Sequence, residues 1–373
     1  MSDQPTSNNL SAQNQGPDLA QNQILDVKFT GTANEYFGIW IVNILLSILT
    51  LGIYSAWAKV RRKRYFNGNT WIAGHNFEYH ANPVSILKGR IIVFVLFVAY
   101  NLTANLAPEV AGILTLVLAI VLPWLINKGL SFNARMTSYR NVRFGFEGSY
   151  WKALLTLVIL PFVGFLSLGL LLPLSTQQQA KYIYSNHSFG DAKFKTHFSL
   201  KPLYKALLIS TLLLFGSLLA IGLIVAGTTG ILAALETLDE EVLSDPANIF
   251  VFLPFIVVLY LAMIFTFILP YIYYSVRSFN LAINHLTLDG KHKFGSNVEV
   301  AKYTWILISN LVVTLLTLGL MAPWAHVRKM KYLAAHFFIL PAGSLDEFVD
   351  RERSEGNVAS SEYMDLDGID FGL

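Results

Sequence analysis

The chain has 373 residues, of which 54% are apolar and only 14% are charged, and its mean hydropathy is +0.49. Soluble domains usually carry about 25% charged residues, so this composition excludes an ordinary water-soluble protein and predicts an integral membrane protein. The sequence contains no cysteine, which excludes a disulfide scaffold, thiolate metal sites and a cysteine nucleophile.

Two polar segments flank the apolar part of the chain. Residues 1–28 are rich in Asn, Gln, Ser and Pro, while residues 343–373 carry nine acidic residues against Arg351 and Arg353. Neither segment can bury enough apolar surface to offset the entropy cost of ordering. The sequence therefore predicts a disordered polar N-terminal tail, a membrane domain over residues 29–342 and a disordered acidic C-terminal tail.

Seven apolar segments follow one another within the membrane domain. Each has about 18 residues or more, which is enough to cross a hydrocarbon core of about 30 Å. They lie at approximately 36–58, 89–107, 110–127, 150–175, 203–235, 248–276 and 303–325.

An internal repeat is the strongest feature of the sequence. Residues 43–65, NILLSILTLGIYSAWAKVRRKRY, match residues 310–332, NLVVTLLTLGLMAPWAHVRKMKY, without a gap and with ten of 23 positions identical. A plain apolar helix does not require the polar and aromatic identities in this match. They include Asn43/Asn310, Gly52/Gly319, Trp57/Trp324, Arg61/Arg328 and Tyr65/Tyr332.

Weaker copies of the pattern extend the repeat to five units. In each, a small residue or proline stands nine residues before an aromatic residue, as in Ala56–Tyr65, Pro123–Phe132, Pro173–Tyr182, Pro270–Phe279 and Pro323–Tyr332. Phenylalanines open the units, which span about 29–76, 77–143, 144–193, 194–293 and 294–342. The connectors carry turn residues and alternating polarity, which predicts short β-hairpins or extended turns. The predicted fold is an all-α polytopic membrane protein of five helical units joined by β-hairpin-like connectors.

The basic residues predict the topology. Lys and Arg lie near the connectors, and none lies between residues 206 and 276. The loop within unit four is acidic instead, with Glu236, Asp239, Glu240, Glu241 and Asp245. Since basic loops stay in the cytoplasm, we expect every connector and both termini to be cytoplasmic.

The short units one, three and five conflict with this topology if each crosses the membrane once. The connectors after units three and four would then place many basic residues outside. A re-entrant arrangement, in which a broken helix enters and leaves on the same side, removes the conflict. Breakers at Thr50–Gly52, at Pro161–Gly164 together with Gly169, and at Thr317–Gly319 allow such a turn. Seven single crossings remain the alternative.

A family resemblance rests on residues 29–83 and on the matching motif in unit five. The motif LTLGIYSAWAKVRRKRY and its counterpart LTLGLMAPWAHVRKMKY resemble the YjgN-like bacterial inner-membrane proteins, over approximately residues 25–342. The resemblance implies a multi-pass protein of the bacterial inner membrane. It implies no catalytic residues, because none is assigned to that family.

No motif indicates an enzyme. The sequence has no Walker loop, GxSxG, HExxH or dinucleotide-binding fingerprint. Its eight histidines fall in or beside the connectors, without the i, i+4 spacing of a helical zinc motif. We therefore predict no catalytic residue, cofactor or metal, and no nucleic-acid partner.

Six residues of units one and five are candidate binding residues. We expect the two asparagines to bond each other, with contact to a solute as the alternative. The tryptophans could anchor at the headgroup boundary or stack on a substrate. The arginines belong to basic runs that either bind anionic lipid headgroups or only set the topology. These candidates are Asn43, Trp57, Arg61, Asn310, Trp324 and Arg328.

Two functions fit the sequence. In the first, the repeat-built core moves or accommodates a small or amphipathic molecule. In the second, a non-transporting scaffold binds lipids or protein partners through its basic cytoplasmic face. A polar cavity between units one and five would favour the first, and a close-packed interior the second. A membrane enzyme is a third interpretation, without any residues to support it.

Overall fold

The computed structural model describes residues 24–236 and 249–359. Ten short strands lie within them: β1 Leu25–Phe29, β2 Thr70–Ile72, β3 His75–Tyr79, β4 Thr137–Tyr139, β5 Val142–Phe146, β6 His187–Phe189, β7 Ala192–Thr196, β8 Leu286–Leu288, β9 His292–Ser296 and β10 Phe337–Leu340.

The same residues form eleven helices. They are α1 Ala33–Leu49, α2 Ser55–Gly68, α3 Pro83–Leu106, α4 Pro108–Arg135, α5 Tyr150–Leu166, α6 Leu172–Ser185, α7 Lys201–Glu236, α8 Ile249–Asn284, α9 Val300–Leu316, α10 Ala322–Ala335 and α11 Leu345–Ala359. Within α5, Leu154–Ile159 are π-helical.

The strands close an antiparallel barrel, so the predicted all-α fold is wrong. Neighbours around the barrel are consecutive in the chain, and β1 closes it by pairing with β10 as well as β2. The predicted connector hairpins are confirmed as β2–β3, β4–β5, β6–β7 and β8–β9. Their turns use left-handed residues such as Ala73–Gly74 and Asp289–Gly290, as tight hairpins require.

Aromatic side chains fill the barrel. Phe77, Phe144, Phe194 and Phe294 occupy the middle of successive odd strands, with neighbouring ring centroids 5.7–6.5 Å apart. The strand register shows that Val27, not Phe29, is their counterpart in unit one, because Val27 pairs with Ile72 as Phe77 pairs with Tyr139. Unit one therefore begins two residues before the predicted boundary.

Each unit is a strand, two helices and a strand. Because every strand is antiparallel to its neighbours, all odd strands end at one rim of the barrel, and all five helical hairpins leave from that rim. The hairpins form a closed ring, in which α2 packs on α3, α4 on α5, α6 on α7, α8 on α9, and α10 on α1. The β-turns lie at the opposite rim.

The ring alternates between short and long hairpins. Units two and four contain the four helices that are long and apolar enough to cross a membrane, namely α3, α4, residues 201–228 of α7 and residues 257–284 of α8. In units one, three and five the predicted apolar segments are divided by turns. Their first helices have 17 residues each, about 25 Å at 1.5 Å per residue, which is less than a full hydrocarbon core.

The three short hairpins reverse at the same Thr/Ser-Leu-Gly turn. Gly52, Gly169 and Gly319 have φ of +91°, +90° and +90°, and the preceding leucines are also left-handed. The predicted chain reversal at Gly52 and Gly319 is confirmed. The leucines at these turns, Leu51, Leu168 and Leu318, are 95%, 96% and 94% exposed.

A tyrosine of the second helix bonds the start of the first helix in each short hairpin. Its hydroxyl donates to the carbonyl of the residue that caps the first helix of the same unit. These bonds join Tyr65 to Thr32 (2.8 Å), Tyr182 to Ser149 (3.2 Å) and Tyr332 to Glu299 (3.3 Å). The long units have Phe132 and Phe279 at this position. Burial, together with Glu35, raises the pKa of Tyr65 to about 12, so this hydroxyl remains a donor at neutral pH.

The C-terminal segment differs from its prediction as a disordered tail. Helix α11 covers the β-turn rim, with Val349 fully buried and Phe348 packed on His292 at 4.3 Å. Burial lowers the pKa of His292, which favours the neutral ring that accepts the Ala342 amide proton (3.2 Å). The Glu352 carboxylate is 2% exposed and accepts two backbone N–H groups of the β6–β7 turn region.

At the N-terminal boundary, Leu25–Lys28 belong to β1 rather than to a tail. Residues 1–23 and 360–373, on which the rest of the tail predictions fall, lie outside the described residues, as does most of the acidic loop of unit four.

We expect Gly52→Ala to lower the stability of the protein in detergent by about 1–2 kcal/mol, because an L-residue is strained in the left-handed conformation. Gly52→Val should cost more, since a β-branched residue is an outlier there. Open space surrounds the Gly52 Cβ position, so the effect is conformational rather than steric. Thermal unfolding followed by circular dichroism measures it.

Gly38→Ala is the matched control. Gly38 lies in the interior of α1 and also has open space at its Cβ position, so alanine should leave stability unchanged or raise it by up to ~1 kcal/mol. Equal effects at Gly38 and Gly52 would contradict the turn geometry as the cause.

Candidate binding cleft

A cleft of about 450 Å³ lies along the hairpin of unit one. One face of α1, running from Tyr36 near the barrel to Ile48 near the turn, forms its back wall. A capping box between Thr32 and Glu35 fixes the start of this helix, and the Tyr65 hydroxyl bonds both residues (2.8 and 3.2 Å). The back wall is therefore held at its barrel end by three side chains.

The cleft combines polar and apolar groups from three units. Unit one contributes α1 and the facing side of α2, unit two contributes Arg90, and unit five contributes His326. The apolar lining consists of Trp40, Ile44, Ile48 and Ala58, and the uncharged polar lining of Tyr36, Asn43, Ser47 and Ser55.

The charged lining is entirely basic. Lys59 and Arg62 come from α2, and Arg90 comes from α3 and donates to the Ser55 hydroxyl. His326 closes the far wall, with its ring centroid 6.2 Å from that of Tyr36. No Asp or Glu is among the lining residues. A cation cluster beside an apolar wall can hold the anionic head and apolar body of an amphiphile.

The structure pairs each candidate asparagine with the arginine of its own unit. Arg61 donates to the Asn43 side-chain oxygen (3.4 Å), and Arg328 donates to that of Asn310 (3.0 Å). Asn310 also donates to the Ala325 carbonyl (3.0 Å). Within residues 24–236 and 249–359 the two asparagines do not bond each other, so the expected mutual pair is replaced by two equivalent Arg–Asn pairs.

The other candidate residues lie around these pairs. Trp57 stacks on Tyr54 at 6.1 Å, and the Arg328 guanidinium lies 5.1 Å above the Trp324 ring. Of the six candidates, only Asn43 lines the cleft. Their assignment as binding residues stays a prediction.

Sequence reasoning missed most of the cleft. Lys59 and Arg62 could not be singled out within the run KVRRKR, because every residue of that run is basic except one valine. Arg90 offered a usable signal, because it lies about two turns inside α3, and charged side chains within a spanning helix are uncommon and often functional. His326 is the repeat counterpart of Lys59, and the closing of the ring brings it to the same cleft.

A serine, a histidine and a glutamate meet beside the barrel, but not as a hydrolytic triad. The Nε2 atom of His80 lies 2.7 Å from the Ser138 hydroxyl and 3.4 Å from the Glu78 carboxylate. In a triad the acid holds the other ring nitrogen. Ser138 is also only 1% exposed, so the trio serves packing between β3 and β4.

Comparison with known proteins places these features in a family. A family model described as a bacterial protein of unknown function (DUF898) matches residues 24–366, including α11. The inner membrane protein YjgN of Escherichia coli (strain K12) is 26% identical over 365 residues, covering 86% of this chain and 89% of that protein. YjgN of Salmonella typhimurium (strain LT2) is 25% identical over 342 residues, covering 82% and 86%. No solved structure matches the chain. The YjgN-like resemblance read from the repeat motif is thereby confirmed.

The Arg–Asn pairs predict which substitutions interact. In a double-mutant cycle, Asn310→Leu and Arg328→Gln should show a coupling of about 1 kcal/mol, because each removes the same hydrogen bond. The control cycle of Asn43→Leu with Asn310→Leu should be additive within about 0.5 kcal/mol, since the two amides do not touch. Unfolding in sodium dodecyl sulfate measures both cycles. Coupling in the second cycle but not the first would refute the pairing.

Proposed function

We propose that this chain, which belongs to the DUF898 family of bacterial proteins, is a multi-pass inner-membrane protein that accommodates an amphipathic molecule in a cleft along its first unit. Two relatives bear the name inner membrane protein, and four helices are long and apolar enough to cross a membrane. The observation that carries the proposal is the cleft along α1, which joins polar and apolar walls and is flanked by one residue each from units two and five.

In the proposed topology the barrel lies in the cytoplasm. Units two and four cross the membrane and return, and the three short hairpins enter from the cytoplasmic side and turn back within the bilayer. The common rim of all five hairpins supports this arrangement, because it keeps every basic connector on one side.

The turns of the short hairpins support membrane entry. Leu51, Leu168 and Leu318 accept a left-handed conformation that costs roughly 1–2 kcal/mol and expose nearly the whole side chain. Glycine would avoid the strain, so leucine at all three turns indicates a favourable apolar environment for the side chain.

The meeting of two short units beside the cleft follows from the odd number of units. Short and long hairpins alternate around the ring until it closes, where short unit five meets short unit one through α10 and α1. At this junction no long hairpin intervenes between the units, and the cleft lies beside it.

The cleft also bears on the choice between accommodation and a pure scaffold. A close-packed interior would have favoured the scaffold. A 450 Å³ space that includes Asn43 from unit one and His326 from unit five supports accommodation, because pockets of about 300–1,000 Å³ suit small ligands.

Cysteine labelling tests the topology, since the chain has no native cysteine. We expect Glu109→Cys, at the exposed α3–α4 turn, to react with a membrane-impermeant maleimide in spheroplasts. Glu347→Cys, exposed on α11, should react only after permeabilisation. The reverse pattern would place the barrel outside the cell and overturn the topology.

Photo-crosslinking tests the accommodation of a ligand. A photoreactive residue at Ile44, inside the cleft, should form adducts enriched in one amphiphile class. The matched control at Leu45, 53% exposed and outside the cleft lining, should give adducts that follow the bulk lipid composition. Identical adducts at both positions, or none at Ile44, would contradict the proposed function.

A further inference from the structure

The basic residues of the cleft are not required by the fold of the hairpin. Unit three has the same turn, with Gly169 as the counterpart of Gly52, and the same tyrosine bond to the capping residue. Counting from that glycine, the counterparts of Lys59 and Arg62 are Thr176 and Gln179. A short hairpin therefore forms with neutral residues at these two positions, and the charges in unit one need another reason.

The cations of the cleft are arranged as a receptor for an anion. Arg62 makes no hydrogen bond or ion pair with any other residue in 24–236 and 249–359. Arg90 is fixed by its bond to Ser55, and Lys59 lies one helical turn before Arg62 on α2. Three cations that line one cleft without a lining carboxylate favour an anionic ligand, because guanidinium and ammonium groups form charge-assisted hydrogen bonds with anions.

The number and type of these cations favour phosphate. Guanidinium groups offer forked donors that match phosphate oxygens, and lysine adds a point charge. A carboxylate has only two oxygens to share among three cations, whereas a phosphate group presents more oxygens. The apolar side chains of Trp40, Ile44 and Ile48 continue from the basic part of the cleft toward the turn of the hairpin, where the body of an amphiphile would lie.

We propose that this cleft binds the phosphate group of an anionic amphiphile, with Lys59, Arg62 and Arg90 as its ligands. The inference rests on the proposed function, because it names the chemical class of the molecule accommodated there. Arg62 contributes a guanidinium that has no hydrogen-bond partner among the described residues, and Arg90 lines the same cleft from the neighbouring unit. The shared chemistry is phosphate, whether it belongs to a lipid headgroup or to a free anion.

Native mass spectrometry of the full-length protein in detergent tests the proposal. The probes are phosphatidylglycerol, phosphatidic acid, zwitterionic phosphatidylcholine, oleate and inorganic phosphate. We expect the two anionic phospholipids to bind at least tenfold more tightly than phosphatidylcholine or oleate. Arg62→Gln should weaken their binding about tenfold or more, the usual scale for one charge-assisted hydrogen bond, and Arg62→Lys should retain part of it.

Lys331→Gln is the matched control. It removes one charge from an exposed position on α10, the counterpart of α2, outside the cleft lining, and should leave binding unchanged. Arg62→Gln should keep the wild-type melting temperature, since Gln179 occupies the counterpart position in unit three. If that variant fails to fold, Lys59→Thr, which copies Thr176 of unit three, provides the same test.

The outcomes separate the two proposals. Competition by millimolar inorganic phosphate would assign recognition to the phosphate group alone. If inorganic phosphate does not compete, recognition is assigned to the whole lipid headgroup. Equal binding of phosphatidylcholine or tighter binding of oleate would overturn the phosphate site. Unchanged binding of the anionic phospholipids by both Arg62→Gln and Lys59→Thr would also overturn it. Enriched adducts of a neutral or zwitterionic amphiphile at Ile44 would then leave the proposed function standing.

Discussion

Closure of the barrel by β1 and β10 is the interaction on which the rest of the structure depends. Strands of three to five residues are too short to be stable as isolated pairs, and an open sheet would leave two unpaired edges. Pairing Leu25 and Asp26 with the last strand joins the two ends of the repeat. The closed ring of strands then fixes the order and common direction of the five helical hairpins, and with them the contact between units one and five.

The sequence was informative wherever local chemistry determines the structure. The reversal at Gly52 and Gly319 could be predicted because only glycine occupies a strongly left-handed position without strain, and the hairpin at Asp289–Gly290 carries its own turn signal. Barrel closure could not be predicted, because three to five residues cannot specify which distant strand they pair with. Helix α11 was missed because acidic composition indicates disorder, whereas Glu352 is satisfied by backbone N–H groups.

The candidate site was only partly accessible to the same reasoning. The equivalence of Asn43 and Asn310 was evident from the repeat, but their partners follow from the packing of each hairpin, which brings Arg61 and Arg328 alongside. The cleft itself depends on three units meeting in space. Its basic residues resemble ordinary topology signals until Arg90 is seen to approach them from another helix.

The pairing of the first strand with the last also governs when the protein can finish folding during synthesis. β1 is made before any helix, yet one of its two neighbours, β10, is nearly the last part of the membrane domain to emerge. Until then the growing sheet keeps two open edges, and the hairpin of unit one lacks its neighbour from unit five. The barrel can therefore close only after the ribosome has synthesised the whole domain. A chain truncated before Phe337 carries a permanent opening between units five and one.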